Sequence, residues 1–105
     1  MKIALIQINP IIGDFTYNCR KIIEQAEKAC QLGCELAVFP EMVVSGYPPQ
    51  DLLERSSFIN NQEQAVKELL ARLPPMYVLF GRFERCPSEK TKPLYNSVVV
   101  AHDGK

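Results

Sequence analysis

Glu41 is the residue of this 105-residue chain whose type and position best suit catalysis. It follows the apolar run Leu36–Phe39 and a proline, so its carboxylate should lie at the carboxyl end of a strand, where α/β sheets place ligand sites. Phe39, Met42 and the Gly46–Pro49 loop would form an apolar wall that raises the pKa of the carboxyl toward that of a general base. From placement alone, a solvated or capping glutamate is the simpler interpretation.

The cysteines and the one histidine are weaker candidates for chemistry. Cys30 and Cys34 lie four residues apart near the end of a helix and could face one metal ion, but the chain lacks the C-x-x-C spacing of zinc sites. His102 could pair with Cys86 as a nucleophilic dyad, although each falls in a segment expected to be an exposed loop. We therefore expect Cys19 and the other three to be reduced, structural thiols.

Composition excludes several classes of partner. The residues are 47% apolar and 23% charged, as in one ordinary globular domain. Twelve basic and twelve acidic residues give no net charge and form no runs, so we expect neither nucleic acid nor an anionic membrane as a partner. No apolar run approaches the roughly 20 residues that span a bilayer, and no cleavage site follows the first strand. These features predict a cytoplasmic protein.

The first third of the chain has the pattern of a β-α-β unit. Ile3–Ile8 is predicted to be a buried strand that Asn9-Pro10 ends. A helix should follow, capped by Asp14 or Thr16 and ended by a left-handed Gly33. Leu36–Phe39 is then a strand covered on both faces, and the unit a right-handed parallel crossover. The predicted buried stripe of the helix is Ile22, Ile23, Ala26, Ala29 and Cys30.

The remainder predicts a loop, a second helix and two more strands. The loop runs from Met42 to Leu53, with Asp51 capping a short helical turn. The other predicted elements are a helix from Ser56 or Ser57 to Leu73, a strand Met76–Phe83, a polar insertion Glu84–Pro93 and a strand Leu94–Ala101. The predicted buried stripe of this helix is Phe58, Ala65, Val66, Leu69, Leu70 and Leu73.

The last four residues, His102–Lys105, contain the Asp-Gly pair of a two-residue hairpin turn. The strand that would complete this hairpin does not follow in the sequence. An unpaired strand with three consecutive valines, Val98–Val100, is also an aggregation hazard that proteins usually cover. We therefore expect the natural polypeptide to continue, and the chain by itself to associate in solution.

Several of these segments together resemble the nitrilase, or carbon–nitrogen hydrolase, superfamily. Val38–Met42 resembles its glutamate motif and Lys2–Ile22 its first strand and helix, with Gln7, Gly13, Asp14 and Asn18 at the usual places. Phe80-Gly81 and Tyr95–Ser97 resemble its core signature. Within the superfamily, Ser45–Leu53 resembles the loop of bacterial glutamine-dependent NAD synthetases, because other amidases, nitrilases and carbamoylases usually diverge after Gly46-Tyr47.

The resemblance implies an α/β fold of the nitrilase type, an α-β-β-α sandwich, of which residues 1–105 are the N-terminal part of a glutaminase domain. It implies a cysteine that attacks the glutamine amide and releases ammonia, leaving a thioester that water hydrolyses. Glu41 would be the general base, a lysine would stabilise the oxyanion, and Tyr47 would line the glutamine pocket. The lysine and the cysteine would both lie beyond Lys105, so the chain alone should be inactive.

The resemblance further implies no cofactor in this chain, with ATP and Mg belonging to an absent synthetase domain, glutamine as the substrate and a homo-oligomeric enzyme. Gly81 and Asn96 are expected to be structural. One alternative is another amidase or carbamoylase of the superfamily, which the residues after position 105 would decide. A second is a non-catalytic α/β binding module, although Asn9–Gly13 holds a single glycine and so lacks a phosphate-binding loop.

Overall fold

A computed structural model describes residues 1–46, 56–85 and 94–102. Their four strands and two long helices match the number of main elements that the sequence predicts. In chain order these elements are β1 (Ile3–Leu5), α1 (Phe15–Gln31), β2 (Leu36–Val38), α2 (Ser56–Arg72), β3 (Tyr77–Arg85) and β4 (Leu94–Ala101).

The strands form one mixed sheet in the order β1-β2-β3-β4. β1, β2 and β3 are parallel, which confirms the parallel crossover, while β4 runs antiparallel to β3. Pairing continues past the short strands: the Ile6 amide donates to the Val38 carbonyl and the Phe39 amide to the Leu79 carbonyl, both at 2.9 Å. The carboxyl ends of β1 and β2 therefore meet at one edge, and their following segments start side by side.

Both ends of α1 are set by neighbouring residues, as the sequence predicts. The Asp14 carboxylate accepts a hydrogen bond from the Tyr17 amide at 3.1 Å, so Asp14 is the N-cap. Gly33 has φ +83° and its amide donates to the Cys30 carbonyl, which ends the helix as predicted. The predicted stripe is buried, with Cys30 only partly so.

In α2, the buried face contains one polar residue that sequence reasoning missed. Gln62 is fully buried, and its side-chain amide donates to the Phe83 carbonyl at 2.6 Å and accepts from the Phe83 amide at 3.2 Å. This pair of bonds ties α2 to β3 and satisfies both polar atoms of the side chain. Gln62 falls on the same helical face as Phe58, Val66 and Leu69. This position is the feature of the sequence that could have predicted its burial.

Both helices pack on one face of the sheet. The shared core takes Ile22, Ala26 and Ala29 from α1, Val66 and Leu69 from α2, and Ala37, Val78, Phe80 and Ala101 from the strands. The described residues thus form one helical layer on one sheet layer, two of the four layers expected of the sandwich.

The opposite face of the sheet is open in the described residues. Leu5 is 81% exposed and Val98 65%, and Ile3, Tyr77 and Val100 are exposed beside them. The prediction that β1 is buried is therefore wrong for this chain, because β1 lies at the sheet edge with its outward side chains uncovered. Full coverage of β2 is also wrong, since Leu36 and Val38 are only half-buried.

Candidate active site

Glu41 lies at the carboxyl end of β2, beside a cavity of about 320 Å³. Its side chain is exposed, while Phe39 two residues before it and Met42 directly after it are both buried. The cavity lies between the end of β2 and the β3–β4 pair. Its lining residues are Phe39, Glu41, Leu79, Phe80, Gly81, Ser97 and Val98.

The segment 41–46 after β2 is a tight turn in which residues 42–46 are buried. The Gly46 amide donates to the Met42 carbonyl at 2.8 Å, and Val43, Val44 and Ser45 are fully buried. Met42 has φ +57°, a left-handed conformation that a non-glycine residue rarely adopts. Such strain persists where the surrounding contacts fix the backbone, and it is concentrated at functional sites.

Gly81 of β3 holds this turn from one side. A Cβ atom at Gly81 would lie 2.9 Å from the Met42 nitrogen and 3.2 Å from the Glu41 Cα. Those distances are shorter than ordinary van der Waals contact, so the backbones can approach this closely only because residue 81 has no side chain. The sequence analysis expected a structural glycine allowing close backbone approach here, and the structure shows that the backbone it meets is that of Glu41 and Met42.

The start of α1 holds the turn from the other side. The Gly13 amide donates to the Ser45 carbonyl at 2.9 Å. Fully buried Asn18 donates to the Val44 carbonyl at 2.8 Å, and its side chain also bonds the Ile11 amide and carbonyl. The sequence marked Asn18 as part of a motif but gave no partner for it.

Ser97 is a further residue of the site that sequence reasoning left without a role. It lines the cavity that Glu41 lines, and its hydroxyl oxygen is buried with no hydrogen-bond partner among the described residues. A buried hydroxyl without a partner is costly, so such groups are concentrated where a ligand or water completes them. Tyr47, predicted to contact substrate, lies outside the described residues, as do Cys86, Lys105 and the side chain of Asn96.

The described cysteines are free thiols and differ in burial. Burial, reinforced by the nearby Glu68 carboxylate, raises the pKa of the Cys19 thiol to about 11. Cys19 is therefore a neutral thiol at physiological pH and a poor nucleophile, as expected of a structural cysteine. Cys34 is buried, and Cys30 is partly buried.

Neither a metal cluster nor a membrane-spanning helix is present within the described ranges. No group of three His, Cys, Asp or Glu side chains there is arranged to hold a metal ion. His102 is exposed and its ring stacks on Tyr77, with 4.2 Å between centroids. Neither helix of this part of the chain is both long and apolar enough to cross a bilayer.

The chain is similar to known proteins along nearly its whole length. Its sequence is 36% identical to the glutamine-dependent NAD(+) synthetase of Synechocystis sp. over 98% of this chain and 19% of the relative, and 34% identical to that of Thermotoga maritima over 100% and 18%. The chain thus spans about a fifth of the length of these relatives. These relatives confirm the resemblance of the chain to bacterial glutamine-dependent NAD synthetases.

Solved structures share the fold. The glutamine-dependent NAD+ synthetase from Acinetobacter baumannii, solved with adenosine diphosphate, superposes with a TM-score of 0.85 at 35% identity, over 98% of this chain and 19% of the other. An amidase from Nesterenkonia sp. superposes with a TM-score of 0.77 at 21% identity over 100% and 40%, which shows the fold alone. Both confirm the predicted nitrilase-type α/β architecture.

The family is shown by the sequence itself. The model of the carbon-nitrogen hydrolase family matches residues 2–105, which include Glu41, Gly81 and the turn 41–46. With the site geometry and the shared fold, this match assigns the chain: it belongs to the carbon-nitrogen hydrolase family.

Proposed function

We propose that residues 1–105 are the N-terminal part of the glutamine-hydrolysing domain of a glutamine-dependent NAD synthetase. The observation that carries the proposal is the placement of Glu41 on a strained turn beside a cavity of about 320 Å³, in a chain 36% identical over 98% of its length to an enzyme of that name. The carbon-nitrogen hydrolase match gives the reaction class, and the named relatives support glutamine as the amide substrate.

In the proposed reaction a cysteine thiolate attacks the side-chain amide carbon of glutamine, and the carbon–nitrogen bond breaks to release ammonia. Water then hydrolyses the glutamyl thioester to glutamate and restores the thiol. Glu41 takes the proton of the thiol, delivers it to the leaving nitrogen, and later takes a proton from the attacking water. The nucleophile lies after residue 105 in this proposal, which agrees with the raised pKa of Cys19.

The other parts of the proposal concern groups outside the described residues. Tyr47, the residue after Gly46 in the sequence, lines the glutamine pocket. ATP and Mg act in a synthetase domain elsewhere in the polypeptide, where the ammonia converts nicotinic acid adenine dinucleotide to NAD. The enzyme is a cytoplasmic homo-oligomer.

The test compares two nitrogen sources in the full-length polypeptide. Glu41→Gln should lower ammonia release from glutamine by about 10²–10⁴-fold, the usual contribution of a general base. NAD formation from added ammonium should be unchanged, because that step does not need the glutaminase. The matched control is Glu35→Gln, an exposed glutamate just before β2, which should change neither rate. Full glutamine hydrolysis in the Glu41→Gln enzyme would contradict the proposal.

A second experiment tests whether the nucleophile lies outside residues 1–105. The 105-residue chain, purified alone, should release no ammonia from glutamine above the level of its Glu41→Gln variant, since a base without a nucleophile has nothing to activate. A difference between the two would place the nucleophile within these residues. Activity on small aliphatic amides but not on glutamine, in the full-length polypeptide, would instead favour an amidase.

A further inference from the structure

Asn18 is the one fully buried side chain that bonds both the segment before α1 and the turn that begins at Glu41, among the described residues. Its carbonyl oxygen accepts from the Ile11 amide at 2.7 Å. Its amide nitrogen donates to the Ile11 carbonyl and to the Val44 carbonyl, both at 2.8 Å. Three good bonds from one buried amide leave little freedom for either segment.

Only a side-chain amide can make this set of bonds at this size. The site needs one acceptor for Ile11 N–H and two donors for two carbonyl oxygens. A carboxylate of the same shape would keep the acceptor and place its second oxygen against both carbonyls. An apolar side chain would remove all three bonds, of which the one to the Val44 carbonyl is buried. The side chain at position 18 must therefore form hydrogen bonds in these directions and also fill this volume.

The bonds of Asn18 reach Glu41 through a short, stiff path. Val44 is three residues from Glu41 in a turn closed by the Gly46–Met42 hydrogen bond. Gly46 lies against the segment before α1 so closely that a Cβ there would be 3.0 Å from the Ile12 nitrogen and Cα. Across the turn, Gly81 meets the Glu41 Cα and the Met42 nitrogen. The turn is thus held on two sides, and Asn18 supplies the hydrogen bonds on one.

We infer that Asn18 is a positioning residue for Glu41: its amide fixes the turn 41–46 through the Val44 carbonyl, and so sets where the Glu41 carboxylate stands in the cavity. This inference rests on the proposed role of Glu41 as the general base. Catalysis is sensitive to such placement, since a displacement of about 1 Å costs on the order of 10²-fold in rate.

The experiment uses the full-length polypeptide and measures kcat and KM for glutamine hydrolysis in variants that remain folded by circular dichroism. Asn18→Asp, which conserves volume and removes the donors, should lower kcat by about 10–100-fold with KM within about threefold. Gly46→Ala disturbs the packing of the turn against the segment before α1, which Asn18 also bonds, and should lower kcat in the same way. NAD formation from ammonium should stay at the wild-type rate in both.

The matched control is Gln62→Glu, which makes the same amide-to-carboxylate change in another fully buried residue. Gln62 bonds the backbone of Phe83 in β3 rather than the turn 41–46, so this variant should lose stability while keeping kcat per folded molecule. Wild-type kcat in Asn18→Asp and Gly46→Ala, or an equal loss of kcat in Gln62→Glu, would overturn the inference. Absence of glutamine hydrolysis in the wild-type polypeptide would instead contradict the proposed function.

Discussion

The turn 41–46 and the interface between α1 and α2 are held by different kinds of contact. The hydrogen bond from the Asn18 amide to the Val44 carbonyl and the close approach at Gly81 fix the turn. The helix interface is mainly apolar, with the Phe15 and Phe58 rings 5.2 Å apart and Leu69 almost fully buried. Apolar contacts supply stability without a preferred direction, whereas hydrogen bonds and backbone contacts fix position. In this chain, the contacts that stabilise the fold are therefore separate from the contacts that fix the position of the turn 41–46.

The largest expected effect on stability is in the helix interface. Leu69→Ala should lower the free energy of unfolding by about 2–5 kcal/mol, because it leaves a cavity in the core that both helices share. Since Leu69 lies on α2 and not on the turn, kcat for glutamine hydrolysis per folded molecule should not change. Urea denaturation and steady-state kinetics on the same preparation check both expectations. A large fall in kcat would show that the helix interface also affects the position of Glu41, contrary to this expectation.

A smaller stability effect with a larger kinetic one is expected at the turn. Gly81→Ala would place a methyl group 2.9 Å from the Met42 nitrogen, so it should cost about 1–3 kcal/mol and lower kcat by about tenfold or more. Gly33→Ala is the control, because Gly33 has φ +83° with nothing within 4 Å of the added atom. It should cost about 1–2 kcal/mol of backbone strain and leave kcat unchanged. Equal losses of kcat in the two variants would contradict the conclusion that the close approach at Gly81 fixes the turn.

An effect confined to alkaline pH is a dependence of stability on pH that belongs to the helix interface. Because the pKa of the Cys19 thiol is raised from 9.0 to about 11, the folded state favours the neutral thiol. Its contribution to stability is complete below pH 9 and is lost as the pH rises toward 11, by about 1–3 kcal/mol. Cys19→Ala should remove that part of the slope when free energies of unfolding are compared across this range. An unchanged slope would show that Cys19 does not contribute.

Local sequence rules predicted the elements and the position of the candidate base. The Asp14 cap, the left-handed Gly33 and the proline after Phe39 act on neighbouring residues, so their effects can be derived from spacing alone. The partners of Asn18 and Gln62 could not be derived in this way, because they lie 26 residues away at Val44 and 21 residues away at Phe83. The left-handed Met42 was missed for the same reason, since it depends on contacts with another strand. Exposure of β1 was missed because periodicity does not tell which layers cover a face.

The uncovered sheet face has a practical consequence for handling the chain. Leu5, Val98 and Val100 present a flat hydrocarbon surface to water, and each is at least 60% exposed. Surfaces of this kind draw molecules together at high concentration. Samples of the 105 residues alone will keep better when dilute or in mild detergent, and a salt that strengthens apolar association, such as sulfate, will precipitate them early.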